Sequence, residues 1–336
     1  MKAGWRSAVG IALSAALLAW VLRDVSLNAV WGELSRSNLP LFLASAFCAT
    51  AIFPLRAIRW RAILEPVAPG QPLGALWRSI AIGIMVNNVL PARAGEIARA
   101  YALTRETSVS FATSLASLAV DRVFDMLVLL MLGALGLLDP AFPHSAKIAG
   151  QSMGSIAQGS IVLVVLLVGA LYALAVFPVQ LVRIFEIFAR RVSPSVEERG
   201  KAVLLKFSQG LSVLRSPRRF TVVLGWTIAH WLLNGLAFWL GFLAVGINLS
   251  FAAALFLQML VAIGVAVPSA PGFFGVFEKL ATVGLAIYGI SATQATSWAI
   301  GFHILSFIPI TAIGMYYFSR LGLHFKELRT APETAQ

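Results

Sequence analysis

Apolar residues fall along this chain in blocks of roughly twenty, the length an α-helix needs to cross the hydrocarbon core of a bilayer. Such blocks occupy residues 4–22, 39–58, 110–138, 157–177, 220–245 and 294–318. Two further apolar segments, 73–90 and 250–267, stop at a Pro/Gly-rich break and resume as a shorter helix. The first passes through Asn87-Asn-Val-Leu-Pro-Ala-Arg-Ala-Gly-Glu96 and runs on to residue 106; the second passes through Pro268-Ser-Ala-Pro-Gly-Phe-Phe-Gly275 and runs on to residue 290. From Phe220 to Ser319 the only formally charged side chains are the neighbours Glu278 and Lys279. The pattern predicts an all-α, polytopic integral membrane protein.

Residues 178–219 depart from it. Arg183, Arg190, Arg191, Arg199, Lys201, Lys206, Arg215, Arg218 and Arg219 face only Glu186, Glu197 and Glu198. Leu181, Ile184, Phe185, Phe188 and Val192 recur at helical spacing opposite the charges, the pattern of a helix lying in the membrane interface. Ser195-Val-Glu-Glu198 after Pro194 reads as a capping box that opens a second such helix. The excess of basic residues places the N-terminus, the 56–78 loop, the 178–219 loop and the C-terminus on the cytoplasmic side. Those constraints hold if segment 72–109 begins and ends inside while 250–292 begins and ends outside. Each half then contains two spans, one there-and-back segment broken by Pro and Gly, and a further span, the second half upside down relative to the first. The broken segments fit either re-entrant loops or pairs of full crossings. The predicted organisation is a first membrane repeat at 1–138, an outer loop at 139–156, a second repeat at 157–320 that includes the basic loop, and a cytoplasmic tail at 321–336.

Composition sharpens this. The chain is 59% hydrophobic and 12% charged, against about 45–50% and about 25% in soluble domains. Its net charge of +12 is then explained by cytoplasmic loops touching anionic lipid rather than by nucleic acid. The first apolar block follows Lys2 and Arg6 and runs into Arg23-Asp24 without a small-residue cleavage pattern, so it is expected to remain as a span. The single cysteine, Cys48, leaves no intramolecular disulfide and no cysteine-based metal site. No catalytic residue, metal or cofactor is predicted.

Discontinuous helices at equivalent places in inverted halves are where transport sites sit, and irregular backbone at membrane depth persists only where it lines protein or water. The backbone-break residues are Pro91 and Gly95 in the first half and Pro268, Pro271, Gly272 and Gly275 in the second. A helix starting after Pro91 or Pro271 aims free N–H groups at an anion. Asn87, Asn88, Arg93, Arg99 and Arg122 are the candidate headgroup and phosphate ligands, arginine giving charge-assisted contacts. Glu96, Asp121, Asp125 and Glu278 are the candidate acids, able to neutralise those arginines, receive an amine or take up a proton. Each has a plainer reading. Arg122 lies one turn from Asp125 and can form a structural pair with it; Arg93, Glu96 and Arg99 can form an interfacial ladder; Lys279 can snorkel or pair. His230 with Asn234, and His303, suit polar contacts between helices, with proton relay as the sharper alternative. Trp5, Trp20, Trp31, Trp60, Trp77 and Trp226 sit near span ends and read as belt residues.

The order Arg-x-x-Arg-Trp at 56–60, Asn-x-x-x-Pro-x-Arg-x-Gly-Glu-x-x-Arg at 87–99, acid-Arg-x-x-Asp at 121–125 and Pro-x-x-Pro-Gly-x-x-Gly-x-x-Glu at 268–278 resembles the lysylphosphatidylglycerol synthase transmembrane-domain, or flippase-like, family over nearly the whole chain. The family usually has a second glycine after the Pro-Gly pair, where this chain has Phe273, and often Glu where Asp121 stands. The resemblance implies a stand-alone translocator that moves a phospholipid or aminoacyl-phospholipid between leaflets without the soluble synthase domain. Its expected partners are membrane phospholipids, anionic lipid at the 178–219 loop and a lipid-synthesis enzyme; its expected location is the cytoplasmic membrane. Three other readings compete: a carrier of polyprenyl-phosphate-linked glycolipid, a membrane enzyme on a lipid-linked substrate with Asp121 and Asp125 as its acidic pair, and a non-transporting partner subunit.

Overall fold

The computed structural model describes residues 2–23, 25–90, 94–143, 147–148, 151–152, isolated positions between 154 and 183, 216–265, 270–325 and 327. The predicted span at 157–177 and nearly all of the basic 178–219 loop lie outside the described residues. Regular structure is helical, apart from a two-residue antiparallel pair, Lys147–Ile148 with Gln151–Ser152. The helices are α1 (Lys2–Arg23), α2 (Leu27–Arg36), α3 (Leu39–Leu64), α4 (Leu73–Val89), α5 (Gly95–Glu106), α6 (Phe111–Leu137), α7 (Pro217–Ala244), α8 (Phe251–Gly264), α9 (Val276–Ile287) and α10 (Ala292–Arg320). Among them α3, α7 and α10 are long and apolar enough to cross a membrane. Large apolar side chains on the outer faces, such as Phe47 on α3, Met126 on α6 and Ile308 on α10, are exposed in the isolated chain, as lipid-facing positions should be.

The helix starts follow from local chemistry. Ser26, Asn38, Ser110, Ser250 and Ser291 each cap a helix by accepting a backbone N–H with the side-chain oxygen, and Pro217 opens α7, where its missing N–H costs nothing. Segment α2 is the element that a search for twenty-residue runs passes over: ten residues, with Val30 buried and Trp31 72% exposed, packed on α10.

The packing reveals a two-fold relation. The first leg of each broken segment lies against the last helix of the other half, α4 on α10 and α8 on α6. Likewise α3 packs on α4 and α7 on α8, α3 on α10 and α7 on α6, and α5 on α6 and α9 on α10. Exchanging α3 with α7, α4 with α8, α5 with α9 and α6 with α10 returns the same neighbours. Helices α3 and α7, the most extensive pair, run antiparallel: Ser45 Oγ donates to the Ala237 carbonyl at 2.6 Å, and Arg59 Nη1 to Thr227 Oγ1 at 3.3 Å farther along. Counterparts that lie side by side and antiparallel need a two-fold axis across the helices, not along them. The repeat is therefore inverted.

Glycine makes the crossed pairs close. A Cβ on Gly314 of α10 would stand 2.3 Å from the Ala81 carbonyl of α4, and one on Gly136 of α6 would stand 2.5 Å from the Ala252 carbonyl of α8. Without a hydrophobic drive between helices in lipid, such backbone approach supplies much of the packing attraction. Gly314→Leu should push α10 off α4 and cost about 1–3 kcal/mol or more as overpacking, read as a lower melting temperature in nanodiscs. Gly225→Leu, at a position with open space around it, should melt with wild type; equal melting of both variants would refute the close pair.

Candidate functional site

Four helices converge on one buried cluster. Helix α3 places Arg56, Arg59 and Trp60 on a single face, since positions three and four apart are neighbours on a helix. Helix α6 contributes Asp121 and Asp125, α5 contributes Arg99, and α7 contributes Thr227, His230 and Trp231. Arg59 is fully buried and joins both acids, Nη1 at 2.5 Å from Asp125 Oδ1 and Nη2 at 2.6 Å from Asp121 Oδ1. Arg99 Nη1 donates to Asp121 Oδ2 at 3.1 Å, with its guanidinium carbon 3.9 Å above the Trp60 ring. Trp231 Nε1 donates to Asp125 Oδ1 at 3.0 Å, and His230 Nδ1 stands 3.8 Å from the same oxygen. Trp60 Nε1 donates to Ser117 Oγ at 2.8 Å. Arg56 is held more loosely, 3.9 Å from Asp121 and 4.0 Å from Asp125.

Burying an ion costs several kcal/mol unless a partner and further hydrogen bonds compensate it. Arg59, Asp121 and Asp125 compensate one another as ions, although Arg59 Nε finds no hydrogen-bond partner among the described residues. The three arginines nevertheless outnumber the two aspartates, leaving one positive charge uncompensated within the cluster. Arg56 Nε and the Arg99 Nε and Nη2 groups find no hydrogen-bond partner among the described residues. Both side chains line a cleft with Gly83, Asn87, Gly95, Glu96 and Arg122. Its volume is about 20 Å³, room for roughly one water molecule.

The cleft lies at the first break. Asn87 Oδ1 accepts the Gly95 N–H at 2.8 Å, and a Cβ on Gly95 would stand 2.1 Å from the Gly83 carbonyl, so only glycine lets α5 start against α4 here. Arg122 pairs with Glu96 at the mouth of the cleft. Asn88 Nδ2 turns away to Thr311 Oγ1 of α10, at 2.7 Å. Pro91 and Arg93 lie outside the described residues.

The second break forms a separate cluster. Residues Pro271–Phe273 make a 3₁₀ turn in which Gly272 and Phe273 have φ of 66° and 62°, followed by Gly275 at 84°. Glu278 Oε2 accepts the Gly275 N–H at 2.6 Å, capping α9. Its Oε1 lies 2.6 Å from His303 Nδ1 on α10, and His303 Nε2 lies 2.8 Å from the Gly272 carbonyl. The imidazole is enclosed by Phe274 and Phe277 at 4.4 and 4.5 Å. Helix α1 seals the turn, with Ser14 Oγ accepting the Ala270 N–H at 2.9 Å. Pro268 lies outside the described residues.

The structure thus unites Arg99, Asp121 and Asp125, sets Asn87, Gly95, Glu96 and Arg122 beside them, and places Glu278 elsewhere. The pair read between Arg122 and Asp125 is not formed: Asp125 faces Arg59 across the bundle while Arg122 turns to Glu96. Trp60 is a buried cluster member, not a belt residue, whereas Trp20 and Trp31 are exposed as belt residues are. Asn234 bonds Gln258 of α8 at 3.0 Å instead of serving His230, and Lys279 rests 3.6 Å over the Trp20 ring. Arg56 and Arg59 were visible as a face of α3 but not assigned to the site; two arginines inside an apolar helix were the signal.

Residues 7–314 match the profile of the lysylphosphatidylglycerol synthase transmembrane region. The chain belongs to that family. Among relatives of this synthase-region family, a UPF0104 membrane protein of Methanothermobacter thermautotrophicus is 27% identical over 332 residues, 91% of each chain. Another, of Methanocaldococcus jannaschii, is 21% identical over 235 residues, 70% of this chain and 93% of the relative. The glycosyltransferase AglD of Haloferax volcanii is 34% identical over 120 residues, 36% of this chain and 19% of that enzyme.

Asp125→Ala removes one of the two carboxylates that hold Arg59 in the core and should cost about 3–5 kcal/mol, the range for breaking a buried pair. Arg122→Gln, at a half-exposed pair, should leave the melting temperature close to wild type. Thermal melts in nanodiscs check both; a wild-type melt for Asp125→Ala would show that the cluster does not hold the fold.

Proposed function

We propose that this protein is a lipid translocator, carrying a phospholipid or aminoacyl-phospholipid between the leaflets of the cytoplasmic membrane, with both termini cytoplasmic and the 178–219 loop on anionic lipid. The observation that carries the reading is the uncompensated arginine charge, with unpaired guanidinium N–H groups, beside a backbone break inside the helical bundle. A phosphate that leaves water needs fixed donors, and these donors have no partner among the described residues. An ionised group kept inside a membrane bundle marks a substrate or ion path, and here the surplus cation suits a monoanionic phosphodiester. Asn87 and Arg93 are assigned to the same headgroup. Glu96 and Arg122 form a gate at the mouth of the cleft. The cleft admits about one water, so a headgroup enters only after the break parts from α6, which makes the described arrangement a closed one. The family's name, a membrane region of an enzyme of lysylphosphatidylglycerol, agrees with a phosphate-bearing cargo.

A second cargo, polyprenyl-phosphate-linked glycolipid, draws support from the partial likeness to the glycosyltransferase AglD. It would use the same arginines, so the two cargoes are separated by headgroup and tail rather than by site.

Fluorescent-lipid translocation in proteoliposomes, scored by dithionite protection, tests the reading. Arg56 makes no hydrogen bond to the aspartates, so Arg56→Gln should fold while losing about tenfold or more in rate, the worth of one charge-assisted hydrogen bond; Arg93→Ala should fall similarly. Wild-type rates no faster than empty liposomes, with phosphatidylglycerol, aminoacylated and polyprenyl-phosphate probes alike, would end the transport reading. A preference among the probes names the cargo.

A further inference from the structure

The two-fold relation that exchanges the halves also exchanges two side-chain pairs. Glu96 and Glu278 both stand in the first turn of the helix that follows a break. Arg122 follows Phe111, and His303 follows Ala292, by the same number of residues. Each glutamate pairs with the residue so placed on the next helix, Glu96 with Arg122 and Glu278 with His303. The first pair is half exposed and built on arginine, which keeps its proton at any physiological pH. The second is buried and built on the one side chain whose charge changes near neutrality.

The geometry of the second pair counts its protons. A carbonyl oxygen only accepts, so His303 Nε2, at 2.8 Å from the Gly272 carbonyl, carries a hydrogen. The 2.6 Å contact between Nδ1 and Glu278 Oε1 then holds one proton, either on Nδ1 beside a carboxylate or on Oε1 facing a bare nitrogen. A second proton sits either on Oε1, head to head with Nδ1–H, or on Oε2, where it weakens the acceptor of the Gly275 N–H. Removing the first sets a lone pair against a carboxylate. Either change weakens the contact, and His303 is the polar tie between the Gly272 turn and α10, beside the Phe274–Phe307 ring contact.

We propose that Glu278 and His303 form a proton-binding site whose occupancy decides whether the second break stays docked on α10, coupling proton movement to transport. The coupling half rests on the lipid-transport reading above; the proton site stands without it. Helix α8 and residues 266–269 carry no titratable side chain. On α9, Lys279 is engaged over Trp20; on α1 stand Lys2, Arg6 and Arg23; on α3, Cys48 packs on the cluster around Phe277; on α4, Arg78 is bonded to Glu106; on α2 stand Glu33 and Arg36; on α10, Tyr316, Tyr317 and Arg320 lie in the last turns. Arg56 and Arg59 on α3 and His230 on α7 belong to the aspartate cluster.

Two variants suit the test. Glu278→Gln keeps both contacts, its amide oxygen accepting the Gly275 N–H and its NH₂ donating to a bare Nδ1, and so imitates the protonated acid. His303→Phe keeps a ring between Phe274 and Phe277 but removes both hydrogen bonds. In pH-difference infrared spectra of nanodisc samples, wild type should show a carboxylic-acid C=O band on acidification that is missing in Glu278→Gln and displaced by about one pH unit or more in His303→Phe. The same band in Glu278→Gln, or an undisplaced one in His303→Phe, overturns the site. In proteoliposomes with opposed pH gradients, wild-type translocation should differ by at least about fivefold, the low end of ordinary coupling, and Glu278→Gln should be indifferent. Measurable wild-type transport, equal in both gradients, overturns the coupling and spares the transport reading. A titrating band without any transport does the reverse.

Discussion

An ion buried away from water must find its compensation inside the protein, and this chain is built around that requirement. Arg59 sits where α3, α6 and α7 meet because two aspartates on one face of α6 can be satisfied there. Trp231 and Thr227 add hydrogen bonds to it. Once that knot is tied, α3 and α7 are committed to their antiparallel contact and α6 to its place beside them. The other helices then have one arrangement that buries their small residues. The same knot leaves Arg56 and Arg99 on its rim with donors to spare, so structural and chemical roles are divided among the arginines rather than shared by each.

The two-fold relation explains why the halves can be alike in path and unlike in chemistry. Each half offers a break, a glutamate just beyond it and a partner on the next helix. In the first half that scheme is filled with fixed charge, beside a cluster of arginines. In the second it is filled with histidine and aromatic rings, sealed by α1. The crossed packing of α4 on α10 and α8 on α6 ties the leg before each break to the other half's last helix. Two unlike sites are thereby given a common mechanical link.

Much of this was legible in the sequence because bilayers are strict about length. The runs predicted at 39–58, 110–138, 220–245 and 294–318 correspond to α3, α6, α7 and α10, and both breaks fall where Pro and Gly accumulate. Short α2 was not legible, since an amphipathic ten-residue helix has no membrane-length signal. The acids and Arg99 were identified from their cost in lipid, but their partners were not, because pairings between α3, α5, α6 and α7 depend on long-range packing that local spacing does not encode. Nearest-neighbour reasoning accordingly joined Arg122 to Asp125, which the fold separates. Phe273 is a subtler case. Where the family resemblance leads one to expect glycine, this chain holds a phenylalanine at positive φ, a conformation that is a genuine outlier for a bulky residue.

The surplus charge of the arginine cluster has an electrical consequence. A site that holds one net positive charge when empty and none when a monoanion is bound feels the membrane potential in only one of its two states. Moving an elementary charge through 100 mV is worth about 2.3 kcal/mol. In the proposed translocation, voltage would therefore act on the return of the empty site and leave the loaded crossing nearly untouched, so the resting potential of the cell would set the pace of resetting rather than the direction in which cargo is drawn.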